Sequence, residues 1–255
     1  MRDRDPGRRE HVLGAILAPG ERRSEHAGMR VRDLQDLEQA LDGAVLAPAA
    51  VQGVEGDVGL QFRQHLGDVA ADVDARSRFP AEAFAALREQ KLLGMLIPTE
   101  FGGEGARAAD VADVCALLGA ACASTAMIFA MHQVKLACLI RHHRNNDWQV
   151  GFLKRCAQKQ LLLASSTTEG LNGGNIRSSE APIQLEGPRV RLTRDASCIS
   201  YGAAADAIVT TARRGEGAAN SDQVLVVFEK ADYTLEKTKS WDTLGMRGTC
   251  SVGYM

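Results

Sequence analysis

Apolar residues recur at spacings of three and four through the first half of the chain, and at a spacing of two in the second. Val31, Leu34, Leu37, Leu41 and Val45 fall on one helical face. Val58, Phe62, Leu66, Val69 and Val73 form a second such stripe. Pro80 suits the first turn of a third helix carrying Phe84 and Leu87, which Gly94 stops. Val111, Val114, Cys115 and Leu118 predict a helix within Asp110–Cys122. The next is predicted over Thr125–Ile140 with Ser124 as its N-cap. It is apolar almost all round, which predicts a buried helix. Trp148, Phe152, Leu153 and Cys156 mark a last helix.

From Leu161 the pattern changes. Leu161–Thr168 reads as a strand, apolar at its start and hydroxyl-rich at its end. Ile183 and Leu185, then Val190 and Leu192, alternate on either side of Gly187-Pro188 as a hairpin does. Ala207–Thr211 and Val224–Phe228 are further strands, and Cys250–Met255 reads as a strand just beginning. Helices followed by strands predict an α+β chain. The expected organisation is a helical domain over 29–160, then a small antiparallel β-barrel or sandwich over 161–255, truncated. Residues 1–28 carry six Arg against five acidic residues without periodicity, and read as disordered or as an upstream extension. Met29 is then the expected natural start.

Composition narrows the function classes. The net charge of −2 gives no electrostatic case for nucleic acid or a membrane surface as partner, and 5% aromatics offers few stacking platforms. No run of apolar residues approaches the roughly 20 that a membrane helix needs. Val12–Ala18 follows a start in which acidic residues interrupt the arginines, a poor signal peptide. The six cysteines form no C-x-x-C and no cluster with histidine, so zinc is not expected and a reducing, cytoplasmic setting is. His132 reads as a satisfied core histidine, and His142 and His143 as helix-end charges.

The most informative stretch is Leu161–Arg177, LLLASSTTEGLNGGNIR. Four hydroxyl residues precede Glu169 and a Gly/Asn-rich turn whose backbone can curl its amides toward a ligand. Such residues are also plain turn formers. No G-x-G-x-x-G or G-K-[ST] motif is present. Three other blocks stand with it: LREQKLLGMLIPTEFGGEG (87–105), the Ile199-Ser200 region with Ala205-Asp206 and Thr211–Arg213, and WDTLGMRGTCS (241–251). Together and in this order they resemble the acyl-CoA dehydrogenase family of flavoproteins, over roughly residues 31–255.

The resemblance implies an FAD cofactor and α,β-dehydrogenation of an acyl-CoA thioester, with an electron-transfer flavoprotein or similar acceptor and a homo-oligomeric full-length form. Carried over by position, flavin contacts fall on Ser165, Thr167, Thr168, Ile199 and Ser200. Gly174 falls where both flavin and acyl-CoA are touched. Amides near Thr167 and Thr168 would serve the pyrimidine edge, and the Ser200 hydroxyl N5 or O4. The sequence departs from the family in three places. The turn reads Gly170-Leu171-Asn172-Gly173-Gly174-Asn175 in place of P-G-A-G-S-D. Cys198 stands where the family has Trp, and Arg194 and Ala196 where it has Gly and Lys. The family's catalytic glutamate belongs to a C-terminal helical domain expected to be absent here, so no catalytic residue is nominated and the chain alone is expected to be inactive. Two alternatives stay open: a flavin-dependent monooxygenase on this scaffold, and a non-catalytic binding or assembly module.

Overall fold

The computed structural model describes residues 67–143, 146–170, 175–186 and 189–255. The Val31–Val45 stripe, the Val58–Leu66 part of the second, residues 1–28 and the Gly187-Pro188 turn lie outside them. Residues 67–75 are helical, with Val73 buried.

Helix α1 (Ala81–Glu89) follows Pro80, which has no N–H to leave unsatisfied at a helix start. It buries Ala83, Phe84 and Leu87. Each large side chain removed from water in this way stabilises the fold by about 1.5–3 kcal/mol. The helix ends before Gly94, where Lys91 takes a left-handed backbone (φ 57°) and a short 3-10 turn spans Leu92–Gly94. The glycine-rich segment after Pro98 folds back rather than dangling. Gly105 N–H donates to Ile97 O at 2.9 Å, and a Cβ on Gly103 would lie 2.1 Å from that same oxygen.

Helix α2 (Ala108–Ala121) starts on a capping box, in which Asp110 accepts the Arg107 amide at 2.7 Å. Helix α3 spans Ala123–His142. Ser124 is not its cap. Cys122 takes that position, and Ser124 lies buried in the first turn because it packs on Gly248, whose Cβ would come 2.9 Å from that of Ser124. Nor is α3 buried all round: Met127 is 41% and Val134 59% exposed. Its length and mean hydropathy of 1.4 would suffice to cross a membrane, which the sequence reading did not anticipate. Its inner face, however, carries buried His132 and Gln133, bonded to the carbonyls of the 92–94 turn. Helix α4 (Asp147–Lys159) is capped by the Asn146 side chain and ends on Gln160 in a left-handed conformation (φ 50°).

Eight strands follow among the described residues: β1 (Leu163–Ser166), β2 (Gln184–Glu186), β3 (Arg189–Arg191), β4 (Ala196–Ile199), β5 (Ala207–Arg213), β6 (Gln223–Glu229), β7 (Lys237–Lys239) and β8 (Val252–Tyr254). They form sheets ordered β1-β5-β6, β2-β3 and β4-β8-β7, with no closed barrel among the described residues. The α+β class is therefore observed, with one difference in strand direction from expectation. β1 pairs with β5 in parallel, Leu163 opposite Ala207, where an antiparallel arrangement was expected. β8 falls within the strand expected at Cys250–Met255 and is a central one, bonded on both sides. The β2–β3 hairpin forms with Leu185 opposite Val190, but Leu185 is exposed.

The helical and sheet parts share their core. One cluster joins Phe84, Leu93, Ile128 and Phe129 to Leu162, Ile199, Tyr201, Ile208 and Tyr254. A second joins Leu136, Phe152 and Leu153 to Leu163, Val209 and Val227. Adjacent β1 residues thus enter different clusters, Leu163 one and Ala164 the other. A strand buried on both faces needs a continuous apolar run, which is why Leu161–Ala164 does not alternate.

Candidate functional site

The site is built outward from β1. In a parallel ladder a strand turns its backbone groups to the two edges at alternate residues. On β1 the even residues face β5: Leu162 O accepts from the amides of Asp206 and Ala207, and Ser166 O accepts from the Thr210 hydroxyl at 2.7 Å. The odd residues face the other way. Leu163 N–H donates to His132 Nδ1 at 3.0 Å, and Leu163 O accepts from the Tyr201 hydroxyl at 3.0 Å. The alternation then puts the Ser165 amide on this outer edge, with Thr167 following directly after the end of β1. β1 is the edge strand of its sheet, so among the described residues no strand pairs with it on that side.

His132 fixes where the edge begins. The ring is fully buried, and its Nε2 lies 2.8 Å from Leu93 O. A carbonyl only accepts and an amide only donates, so the neutral tautomer carries its proton on Nε2 and accepts at Nδ1. Burial holds its pKa down to about 4. The core-histidine reading thus stands in the geometry, with an added role: His132 joins α3, the 92–94 turn and β1. On the opposite side Asp206 accepts from Leu162 N at 2.8 Å and Arg88 Nη2 at 3.0 Å, tying α1 to the start of β1.

The end of β4 comes alongside. The Thr168 hydroxyl donates to Cys198 O at 3.3 Å, bringing the turn after β1 against the strand that ends at Ile199. Ile199 and Ser200 are both buried. Ser200 Oγ lies 2.7 Å from Ser251 Oγ, so its hydroxyl is already engaged within the protein. Of the residues singled out by sequence, Ser165, Thr167, Thr168, Ile199 and Ser200 are therefore brought together by two adjoining segments, β1 with its turn and the end of β4. Gly174 lies outside the described residues.

Glu169 is a structural pin. Its carboxylate accepts from Ser179 Oγ (2.9 Å), Glu180 N (2.6 Å) and Ala181 N (3.2 Å), and pairs with Arg194 at 2.9 Å. Both side chains of that pair are over nine-tenths buried. Burial pulls the Arg194 pKa down, and the Glu169 charge opposes this. Arg194 also donates to Thr211 O. Its Nε and Nη2 have no partner among the described residues.

A cavity of about 330 Å³ lies nearby, bounded by Ser166, Ile199, Ile208, Thr210, Phe228 and Tyr254 among others. Its lining comes from strands and loops of the sheet part and includes no residue of α1–α4 or of the helical 67–75 segment, so it lies inside the sheet half rather than between the two halves. Among the described residues no group of His, Cys, Asp and Glu could hold a metal ion.

Sequence reasoning missed Tyr201, Thr249 and Ser251 as individual participants. Tyr201 directly follows Ser200, and a buried tyrosine needs a partner for its hydroxyl. Thr249 and Ser251 stood in view within the 241–251 block.

Residues 60–160 match the model of the acyl-CoA dehydrogenase N-terminal domain. Over 184 residues the chain is 23% identical to a short-chain-specific acyl-CoA dehydrogenase of Clostridium acetobutylicum, covering 72% of this chain and 48% of that protein. The chain spans about half the length of the curated relatives it matches over most of its own. Two structural likenesses, each under 25% identical, bear on the fold alone. Methanesulfinate monooxygenase MsuC of Pseudomonas fluorescens superimposes with a TM-score of 0.66 at 20% identity, over 82% of this chain and 50% of that one. FMN-bound TdsC of Paenibacillus sp. A11-2 gives 0.69 at 18% identity, over 80% and 50%. Residues 60–160 thus carry an acyl-CoA dehydrogenase N-terminal domain, and most of the chain is similar to acyl-CoA dehydrogenases, which are flavoproteins.

Proposed function

We propose that the chain holds the flavin of an acyl-CoA-oxidising site at the outer edge of β1. The observation that carries this is the conjunction of that edge with the buried end of β4, fastened by the Thr168–Cys198 hydrogen bond. The outward-facing amide of Ser165, with that of Thr167 directly after the strand, suits the acceptor-rich pyrimidine rim of an isoalloxazine, and Ile199 gives an apolar seat. The residues present fit the group. A flavin bound there supplies hydride acceptance; the chain's part is orientation and exclusion of water. FAD is the form the family resemblance favours, and Gly174 is proposed to reach both flavin and thioester.

The reaction proposed is α,β-dehydrogenation of an acyl-CoA thioester. Glu169 is no candidate for its base, because four protein groups already hold its carboxylate. No other described carboxylate is nominated, and turnover by these 255 residues alone is not expected. An electron-transfer flavoprotein as acceptor, a homo-oligomeric state and a division into 29–160 and 161–255 belong to the same proposal. So does a cytoplasmic setting, which the free thiols among the described residues support. Titrating the chain with FAD and FMN, then adding acyl-CoA, tests it. Quenching of flavin fluorescence without bleaching of the visible band is expected. Absence of flavin binding refutes the site, and rapid bleaching refutes the expectation of inactivity.

One observation favours a second reading. Cys198 stands where the family carries a bulky Trp, and the similar folds include a monooxygenase. Oxygen consumption by the reduced-flavin complex would favour monooxygenation, whereas a dehydrogenase site shields its flavin.

A further inference from the structure

Beneath the end of β4 three hydroxyls form a one-way chain. Thr249 Oγ1 donates to Met246 O at 2.8 Å, so its single proton is committed. Ser251 Oγ stands 2.8 Å from Thr249 Oγ1, and the proton between them must come from Ser251. Ser200 Oγ is 2.7 Å from Ser251 Oγ, and by the same step it must donate. The direction runs Ser200 to Ser251 to Thr249 to the Met246 carbonyl, and cannot be reversed, because a carbonyl has no proton to return.

The root of this chain is held in place. Met246 O also receives Trp241 Nε1 at 3.2 Å and Thr249 N at 3.1 Å. Tyr201 N donates to Thr249 O at 2.7 Å. Met246 and Cys250 both have left-handed backbones, φ 57° and 47°, which non-glycine residues adopt only where the surroundings enforce it. Gly248 between them is wedged against Val73 and Ser124. Ser200, Thr249 and Ser251 are all buried, so water does not compete for these bonds.

We infer that Thr249 and Ser251 are positioning residues that fix the direction of the Ser200 hydroxyl, so that Ser200 offers a lone pair and no proton to a group lying against Ile199–Ser200. This rests on the flavin reading above. An acceptor at that place discriminates between redox states of the ring, because N5 accepts a hydrogen bond when the flavin is oxidised and donates one when it is reduced. The relay therefore favours the reduced flavin.

The experiment uses the 255-residue chain, Ser251→Ala, Thr249→Val and Thr249→Ser. Dissociation constants are measured for oxidised flavin and, anaerobically, for dithionite-reduced flavin, together with the midpoint potential of the complex. In Ser251→Ala the Ser200 proton is free to turn outward. The ratio of the two affinities is expected to shift about tenfold toward the oxidised form, a fall of about 30 mV for a two-electron couple. Thr249→Val, which removes the root of the chain but keeps Ser251, must move the ratio in the same direction. Thr249→Ser keeps a hydroxyl and must retain the original ratio. Equal ratios in the original chain, Ser251→Ala and Thr249→Val, with flavin bound in all three, overturn the inference while leaving the flavin site standing. Failure of the original chain to bind either form removes the flavin site and the inference with it.

Discussion

Acidification should unfold this protein through one buried ring. His132 is neutral in the fold, with Nε2–H given to Leu93 O and Nδ1 filled by the Leu163 amide. Protonating Nδ1 would set two N–H groups against each other in a site without water. The pKa is accordingly held near 4 in the fold, against 6.5 for the free side chain. The sign follows from proton binding. Between those values the unfolded chain binds the proton and the fold refuses it, so stability is complete above pH 6.5 and falls as pH drops toward 4. The whole gap corresponds to about 3 kcal/mol, of which about 2 kcal/mol is lost by pH 5. Urea unfolding followed by circular dichroism at pH 7.5 and pH 5 measures this. Other groups titrate too, so the comparison is with His132→Gln, whose amide keeps a donor toward Leu93 but has nothing to protonate. The variant should be weaker at pH 7.5, through the orphaned Leu163 amide, yet lose about 2 kcal/mol less than the original protein on going to pH 5. Equal losses in the two proteins would refute the assignment of a neutral, doubly bonded imidazole.

Three further outcomes are expected. Glu169→Gln should destabilise by about 3 kcal/mol, because it strands a buried guanidinium, whereas Arg194→Met should cost less, since Ser179 and the 180–181 amides still hold the carboxylate; equal denaturation midpoints for the two would contradict this asymmetry. Gly248→Ala places a methyl 2.5 Å from Val73 Cγ1, and should lower stability by about 1–3 kcal/mol in thermal unfolding. Tyr201→Phe leaves Leu163 O without its donor and should cost about 1–2 kcal/mol, read from the same urea curves.

Much of the architecture was legible because its signals are local. The three- and four-residue spacing of Val111, Val114 and Leu118 reports a helix wherever that helix lies, and α2 spans Ala108–Ala121. Leu185 and Val190 pair as their alternation implies. What could not be read depends on partners far along the chain. Nothing near Ser124 announces that Gly248 will press on it and take it out of the capping position. An apolar periphery on α3 reports composition, so it could not say that Met127 and Val134 would face outward. The parallel pairing of β1 with β5 is likewise invisible, since a run such as Leu161–Ala164 fits a strand of either orientation buried on both faces. At the candidate site, the hydroxyl cluster Ser165–Thr168 was visible as a stretch of β1 and its turn, while the residues that hold β1 there, His132 on α3 and Tyr201 after β4, lie in other parts of the sequence.

The pairing of β1 with β5 also bears on how the molecule assembles. The hairpin, β4 and their connecting loops all lie between these two neighbours in sequence. Closing so long a loop costs entropy before any ladder bond repays it, so β1 docks late, after the helices and the β5–β6 hairpin have formed from nearby residues. Refolding should therefore show helical ellipticity returning in an early phase and cofactor affinity only in the slowest one.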